Sequence, residues 1–298
     1  MRAQADELER QRRLAVGVGY RMLGSVAEAE DVAQEALLRL HAADDVRNPD
    51  AFLTTVATRL SLDVLRSARV RREASVGEWL PEPLVEDAGA QRVEDDETVS
   101  LAFLALLERL APEERAVLVL REAFEWDYDE IAAVLDKRPD ACRQLLSRAR
   151  RRVDDDRPRF EPDAAQRDAL AARFLVAARG GDVDGLVALL APDAVLVGDG
   201  GGKALSISRP LVGAPAIAKA LAGFAARGER HGVTFAPARV NGQPGMRAVA
   251  ADGRLVSVFS VDVLDGRVVR LHSILNPDKL GHLGPLSEMA LRGSRGGG

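Results

Sequence analysis

A helical front half and a hairpin-rich back half are what this sequence predicts. The expected fold class is multidomain: two all-α segments, the second a helix-turn-helix, then an α+β domain with a curved antiparallel sheet. Three observations carry it. Apolar residues recur at helical spacing behind capping residues through the first half of the chain. In the last quarter, Asn241–Gly242, Asp252–Gly253 and Asp265–Gly266 separate segments of strand character, and Asx–Gly between such segments is the strongest short hairpin signal. Polar, proline-containing stretches that fit neither pattern lie between.

Taken in order, the chain opens on MRAQADELERQRR, which lacks the apolar core of a signal peptide. Ser25 with Glu28 forms a capping box that starts a helix at SVAEAEDVAQEALLRL. Val26, Ala29, Val32, Ala33, Ala36, Leu37 and Leu40 supply its apolar face, and Asp31, Gln34 and Glu35 project elsewhere. A turn at DDVRNPD precedes a helix with Leu53, Val56, Ala57, Leu60 and Val64 as its expected buried stripe. Arg59 and Arg66 share the opposite face and run into RVRR. In WLPEPL (Trp79 to Leu84) two prolines forbid a helix and favour an extended segment, and the acidic run after it reads as flexible.

Helical signals resume at Thr98 with SLAFLALLERL, then Pro112 with two acids in a first turn. Asp127 and Glu130 cap DYDEIAAVLD, a break at KR follows, and Pro139 begins an arginine-rich helix. Two short helices joined by a tight turn, the second basic, make a helix-turn-helix. Arg143, Gln144, Ser147 and Arg148 fall on one side of that second helix, leaving Leu145, Leu146 and Ala149 for the core. Beyond the polar VDDDRPRFEPD come two helices broken at Gly180–Gly181, a third at APAIAKALAGFAAR, and the hairpin-linked strands.

Composition bounds the function. The chain has 298 residues, 47% of them hydrophobic, with no apolar run that approaches the roughly 18 residues a membrane span needs. Its single cysteine, Cys142, rules out an internal disulfide or a multi-cysteine zinc site and reads as a buried filler. A net charge of −5 argues against whole-molecule affinity for nucleic acid. Charge is nonetheless segregated: Arg138 to Arg152 holds six arginines and one aspartate, and Glu78 to Glu97 holds eight acids and one arginine. A cytoplasmic protein without cofactor, metal or membrane partner is expected.

Residues 10–153 resemble the extracytoplasmic-function group of bacterial RNA polymerase sigma factors. AEDVAQEALLRL is similar to that family's clamp-binding helix, AFLTTVATRLSLDVLRSARVRR to its minus-ten segment, and LERLAPEERAVLVLREAFEWDYDEIAAVLDKRPDACRQLLSRARRRV to its minus-thirty-five reader. The resemblance implies that Asp31, Gln34 and Glu35 bind core polymerase. It implies that Phe52, Arg59, Arg66 and Arg69 meet the minus-ten element, and Arg143, Gln144, Ser147, Arg148 and Arg151 the minus-thirty-five element. Phe52 stands where many members have tryptophan and Arg59 where many have asparagine, which bears on base preference; Phe52 can still stack on an unpaired base.

The last domain resembles the SnoaL-like fold, a cone-shaped barrel. With WLPEPL, DGGGK and NPDKL (Asn276 to Leu280), the chain resembles sigma factors carrying a fused SnoaL-like extension. That subgroup regulates itself in cis, which implies no separate anti-sigma partner. Contacts between linker and barrel are expected at Trp79, Leu80, Pro81, Glu82, Asp199, Gly201, Lys203, Asn276, Asp278 and Lys279. The implied domains are region 2 at 1–75, an acidic linker at 76–97, region 4 at 98–153, a linker at 154–163, the SnoaL-like domain at 164–285 and a flexible tail at 286–298. Partners would be core RNA polymerase and promoter DNA.

VGDGGGKAL (Val197 to Leu205) looks like a phosphate loop, but Ala204 follows the lysine where Ser or Thr is needed and no helix clearly starts there. A glycine turn at the barrel mouth fits better. Two alternatives stay open: a small-ligand sensor, and an enzyme drawing on Asp199, Asp262 or His272 for acid–base work. His272 shares its expected face with Val268, Arg270 and Ile274, and no Asp/His pair is spaced to force proximity.

Overall fold

The computed structural model describes residues 2–72, 79–87, 99–154 and 164–288. The chain divides into two compact units, Met1–Ala74 with Phe103–Arg157, and Ser75–Ala102 with Pro158–Gly298. Most of the acidic run, most of the 154–163 linker and residues 289–298 of the expected tail lie outside the described residues.

The first unit is helical: α1 (Arg2–Leu23), α2 (Val26–Ala42), α3 (Pro49–Arg72), α4 (Leu101–Leu107), α5 (Pro112–Glu122), α6 (Tyr128–Leu135) and α7 (Pro139–Asp154). Ser25 Oγ accepts Glu28 N–H at 3.2 Å to start α2, and Asp127 and Glu130 bond reciprocally to start α6. Asp136 takes φ 52° to close α6, which makes the turn of the helix-turn-helix. The expected stripe of α3 is rotated. Leu53 and Ala57 are buried as expected, but Thr54, Thr58, Ser61, Leu62 and Leu65 complete the buried face, and Val56, Leu60 and Val64 are half-buried. Small hydroxyl residues let a neighbouring helix approach closely, which an apolar-period reading does not register. At the α1–α2 crossing a Cβ on Gly19 would meet Ala29 Cα at 3.0 Å.

Arg115 ties the first unit together. Its side chain is 2% exposed, with Nε donating to Leu107 O at 2.8 Å and Nη1 to Met22 O at 2.6 Å, beside Glu108 at 2.5 Å. The guanidinium thus satisfies carbonyls at the ends of α4 and α1, groups left bare by helix geometry.

In the second unit, α8 (Ala164–Gly180), α9 (Val183–Leu189) and α10 (Ala214–Arg230) pack on one face of a seven-stranded sheet. The strands are β1 (Val85–Asp87), β2 (Leu190–Asp199), β3 (Leu211–Val212), β4 (Thr234–Val240), β5 (Gln243–Val249), β6 (Leu255–Leu264) and β7 (Arg267–Ile274), with α11 (Pro277–Leu280) after them. The spatial order is β1-β4-β5-β6-β7-β2-β3. The Asx–Gly turns join β4 to β7 as the expected antiparallel meander. The sheet as a whole is mixed, however, because β2 runs parallel to β7. Turn chemistry governs only consecutive strands; β2 reaches β7 across α10, and packing sets its direction. Two further features escaped sequence reading. β1 falls within the expected linker and pairs Val85 with Val240, Glu86 with Arg239 and Asp87 with Ala238. The expected tail begins tied down, with Leu286 bridged to Leu255 and Ser287 N–H donating to Leu255 O at 2.9 Å.

Replacing Arg115 by Ala strands two buried carbonyls and Glu108, and should cost the first unit about 3–5 kcal/mol. Urea unfolding of a Trp79→Phe chain, followed through Trp126, measures it; a loss under about 1 kcal/mol refutes the role assigned to Arg115.

Candidate functional site

Three surfaces carry the expected functional residues. On α2, Asp31, Gln34 and Glu35 are all exposed, with Glu35 paired to Arg39 at 2.7 Å. One turn on, at the same face, Leu38 is 59% exposed. An exposed leucine amid three polar residues suits a protein partner; it was missed because helical periodicity alone does not separate an exposed leucine from a buried one.

On α3, Phe52 sits in the first helical turn, half-buried, rather than in the preceding loop, since Asn48 Oδ1 caps Ala51 N–H at 3.1 Å. Arg59 donates from Nε to Val134 O at 3.1 Å and from Nη2 to Ala133 O at 3.0 Å. These are C-terminal carbonyls of α6, where a cation is favoured by the helix dipole. Arg66 lies 3.6 Å from Glu113 of α5. The side chain of Arg69 lies outside the described residues. On α7, Arg143, Gln144, Ser147, Arg148 and Arg151 are exposed on one side, while Cys142, Leu145, Leu146 and Ala149 are buried. Arg143 lies over the Tyr128 ring at 4.9 Å and bonds Asp140 at 2.5 Å. Arg151 Nη2 reaches Ser147 Oγ at 3.2 Å. Arg148 bonds Glu114 at 3.2 Å, with half of its side chain still exposed, and Arg152 bonds the other Glu114 oxygen.

In the second unit the linker is gripped by the sheet ends. Asp199, 3% exposed, ends β2. Its Oδ2 accepts Leu80 N–H at 2.9 Å and pairs with Lys279 Nζ at 2.5 Å; its Oδ1 accepts Gly201 N–H at 2.9 Å and the Asn276 amide at 3.3 Å. Lys279 also donates to Leu80 O and lies 4.0 Å from the Trp79 ring centre. Pro81 and Glu82 are buried, with Glu82 3.9 Å from His282. Gly201 has φ 59°, and a Cβ there would meet the Asn276 amide at 2.4 Å. Lys203 instead pairs in the open with Asp278 at 2.5 Å, with no helix starting at it.

Two gripping residues were missed. His282 Nε2 lies 2.9 Å from Pro83 O. Asn241, read only as a turn residue, accepts Leu84 N–H on Oδ1 at 3.0 Å and donates from Nδ2 to Val99 O at 3.0 Å. Nothing in local sequence marks either contact.

A fourth cluster lies on the sheet face opposite the helices. A bulge sends Val268 to the helix-side core, so only Arg270 and Ile274 share the His272 face. Cross-strand register brings Asp262 Oδ2 within 3.7 Å and Ser260 Oγ within 3.3 Å of His272 Nδ1. Both groups meet the same ring nitrogen, so this is no Ser–His–Asp relay, which uses opposite nitrogens. Burial pushes the Asp262 carboxyl up to about 7 against the pull of Arg270, and burial, helped by Arg270, lowers His272 to about 3.

Residues 8–71 match Sigma-70 region 2 and residues 100–153 match Sigma-70, region 4. The ECF RNA polymerase sigma factor SigJ of Mycobacterium tuberculosis (strain ATCC 25618 / H37Rv) is 37% identical over 293 residues, covering 93% of each chain. The probable ECF RNA polymerase sigma factor SigI of Mycobacterium tuberculosis (strain CDC 1551 / Oshkosh) is 33% identical over 272 residues, 89% of this chain and 90% of that one. The crystal structure of Mycobacterium tuberculosis extracytoplasmic function sigma factor SigJ matches with a TM-score of 0.75 at 33% identity, over 95% of this chain and 100% of that chain.

The Asp262–His272 pair yields a pH prediction. The folded unit keeps the Asp262 proton up to about 7 while the unfolded chain releases it near 3.8, so that contribution falls as pH rises through the window. The unfolded chain protonates His272 below 6.5 while the folded unit resists to about 3, so that contribution falls as pH drops. Between about 4 and 6.5 the two cancel. In a Trp126→Phe chain read through Trp79, stability should be flat there. His272→Asn should slope downward with rising pH and Asp262→Asn upward, each by up to about 1.4 kcal/mol per pH unit. Flat profiles for both variants would contradict the burial-driven shifts of the two groups.

Proposed function

The chain belongs to the extracytoplasmic-function RNA polymerase sigma factors, which recognise promoters to initiate transcription, and from that premise we propose how its residues divide the work. Asp31, Gln34 and Glu35, with Leu38, meet core polymerase. Phe52, Arg59, Arg66 and Arg69 meet the minus-ten element; Arg143, Gln144, Ser147, Arg148 and Arg151 meet the minus-thirty-five element. Arginine is suited to both tasks, reading guanine edges and holding phosphates. Arg59 and Arg66 cannot hold α6, Glu113 and DNA at once, so the closed first unit is a resting state that promoter binding opens.

The SnoaL-like domain regulates in cis by gripping the linker between regions 2 and 4. One observation carries this: both oxygens of the Asp199 carboxylate are engaged by Leu80, Lys279, Gly201 and Asn276. Asp199 figured in both the catalytic and the regulatory expectations, and a carboxylate so engaged is poorly placed to take a substrate proton. An attached domain that holds the linker removes the need for a separate anti-sigma factor. The place of action is the cytoplasm, with polymerase; among the described residues no helix is long and apolar enough to cross a membrane. A ligand-sensing role has one observation behind it, a solvent-open cleft of about 240 Å³ bounded by Leu175, Val176, Pro237 and Met246 with Asp168, Arg179 and Arg239.

Run-off transcription from a promoter library, with core polymerase and the full chain, should give transcripts sharing one motif. Arg143→Ala should weaken binding by about 1–3 kcal/mol and relax specificity at one base. A chain ending at Asp156 and the double variant Asp199→Asn/Lys279→Met, which leaves no lone buried charge, should shift output in the same direction. Opposite shifts, or none, would sink the regulatory reading; silence of the full chain with competent core would sink the promoter-reading roles.

A further inference from the structure

We propose that Asn241 sets the promoter-spacer specificity of this sigma factor by stapling the linker shut. The inference rests on regions 2 and 4 being the two promoter readers. Asn241 is 2% exposed and opens the tight turn between β4 and β5 at φ 51°, followed by Gly242 at φ 69°. For the turn alone, Asp or Gly would serve as well. The carboxamide does something the turn does not require. Its oxygen accepts Leu84 N–H and its nitrogen donates to Val99 O, both at 3.0 Å, while its backbone N–H donates to Leu84 O at 2.8 Å. One side chain therefore joins two residues that bracket the fourteen from Val85 to Thr98. β1, at the start of that segment, is held on the same sheet edge.

The consequence is geometric. Covalently, the 28 residues 73–100 connect α3 to α4. With the staple closed, only residues 73–84 and 99–100 count toward the tether, half as many. β1 stays on the sheet edge when the staple opens, so the eleven residues 88–98 are what it releases, and they could add roughly 37 Å of reach at about 3.4 Å per residue. Each added base pair of spacer moves the minus-thirty-five element by about 3.4 Å and turns it by about a tenth of a helical turn. A long tether absorbs many such steps; a halved one does not. Taking those eleven residues out of the tether also raises the effective concentration of the second reader by roughly threefold, following the −3/2 power of length.

Asn241→Asp isolates the staple. It keeps the turn and the acceptor for Leu84, removes the donor to Val99 and sets a carboxylate against that carbonyl. The test is run-off transcription with competent core on one promoter whose spacer varies in single base-pair steps. Wild type should show a narrow optimum. Asn241→Asp should lose about threefold at that optimum and flatten the profile, and Asn241→Gly, which also keeps the turn, should do the same. Deleting Ala88–Glu97 in the Asn241→Asp chain shortens the tether covalently and should restore the narrow profile. An Asn241→Asp profile that superposes on wild type, or a deletion that fails to sharpen it, overturns the proposal. A wild-type chain silent at every spacer overturns the promoter-reader assignment itself, and this inference with it.

Discussion

The C-terminal unit depends on one buried carboxylate. Asp199 gathers four donors from three separated stretches of chain: Leu80 from the linker, Gly201 from the turn, and Asn276 and Lys279 around α11. A buried ion pair adds little net stability against an apolar alternative, but removing one member is costly because the other is left charged and unpaired. This pair can be broken only by dismantling the grip on the linker. Gly201 follows from the same constraint, since its Cβ would occupy the Asn276 amide. WLPEPL, DGGGK and NPDKL are thus three pieces of one contact.

The first unit uses the same chemistry with the signs exchanged. Helix C-termini present carbonyls with no internal partner, and guanidinium groups fill them. Arg115 does so permanently, buried against Met22 and Leu107. Arg59 does so from the surface, at Ala133 and Val134. The difference is desolvation. A buried guanidinium cannot leave without stranding its acceptors, while an exposed one exchanges a carbonyl for water at small cost. That separates a structural arginine from one whose partners can change.

Much of this was legible in order along the chain. Caps at Ser25 and Asp127, the arginine face of α7 and the Asx–Gly meander rest on residues within a few positions of one another, and local rules govern such features. The turn at Gly200–Gly202 was separable from a phosphate loop because that chemistry needs a defined neighbour after the lysine. The buried stripe of α3 was displaced because Thr54, Thr58 and Ser61 are small enough to be buried, which an apolar count passes over. The Asp262–His272 approach was not foreseen because hairpin register and a bulge, rather than spacing, bring them together.

What the sequence by itself determined is the inventory: two helical promoter-reading segments, a hairpin-rich domain, and charge sorted into basic faces and an acidic linker. Family resemblance named the linker and barrel residues that meet, but tertiary structure alone decided which atoms bond and brought in Asn241 and His282. Leu80 and Lys279 stand 199 positions apart, Leu84 and Asn241 157, Arg59 and Val134 75. The parallel pairing of β2 with β7, the strand hidden in the linker and the double use of Asn241 have the same origin. Backbone propensity and turn chemistry act over a handful of residues, whereas a buried polar group takes whichever partner packing delivers, and only the folded chain contains that information.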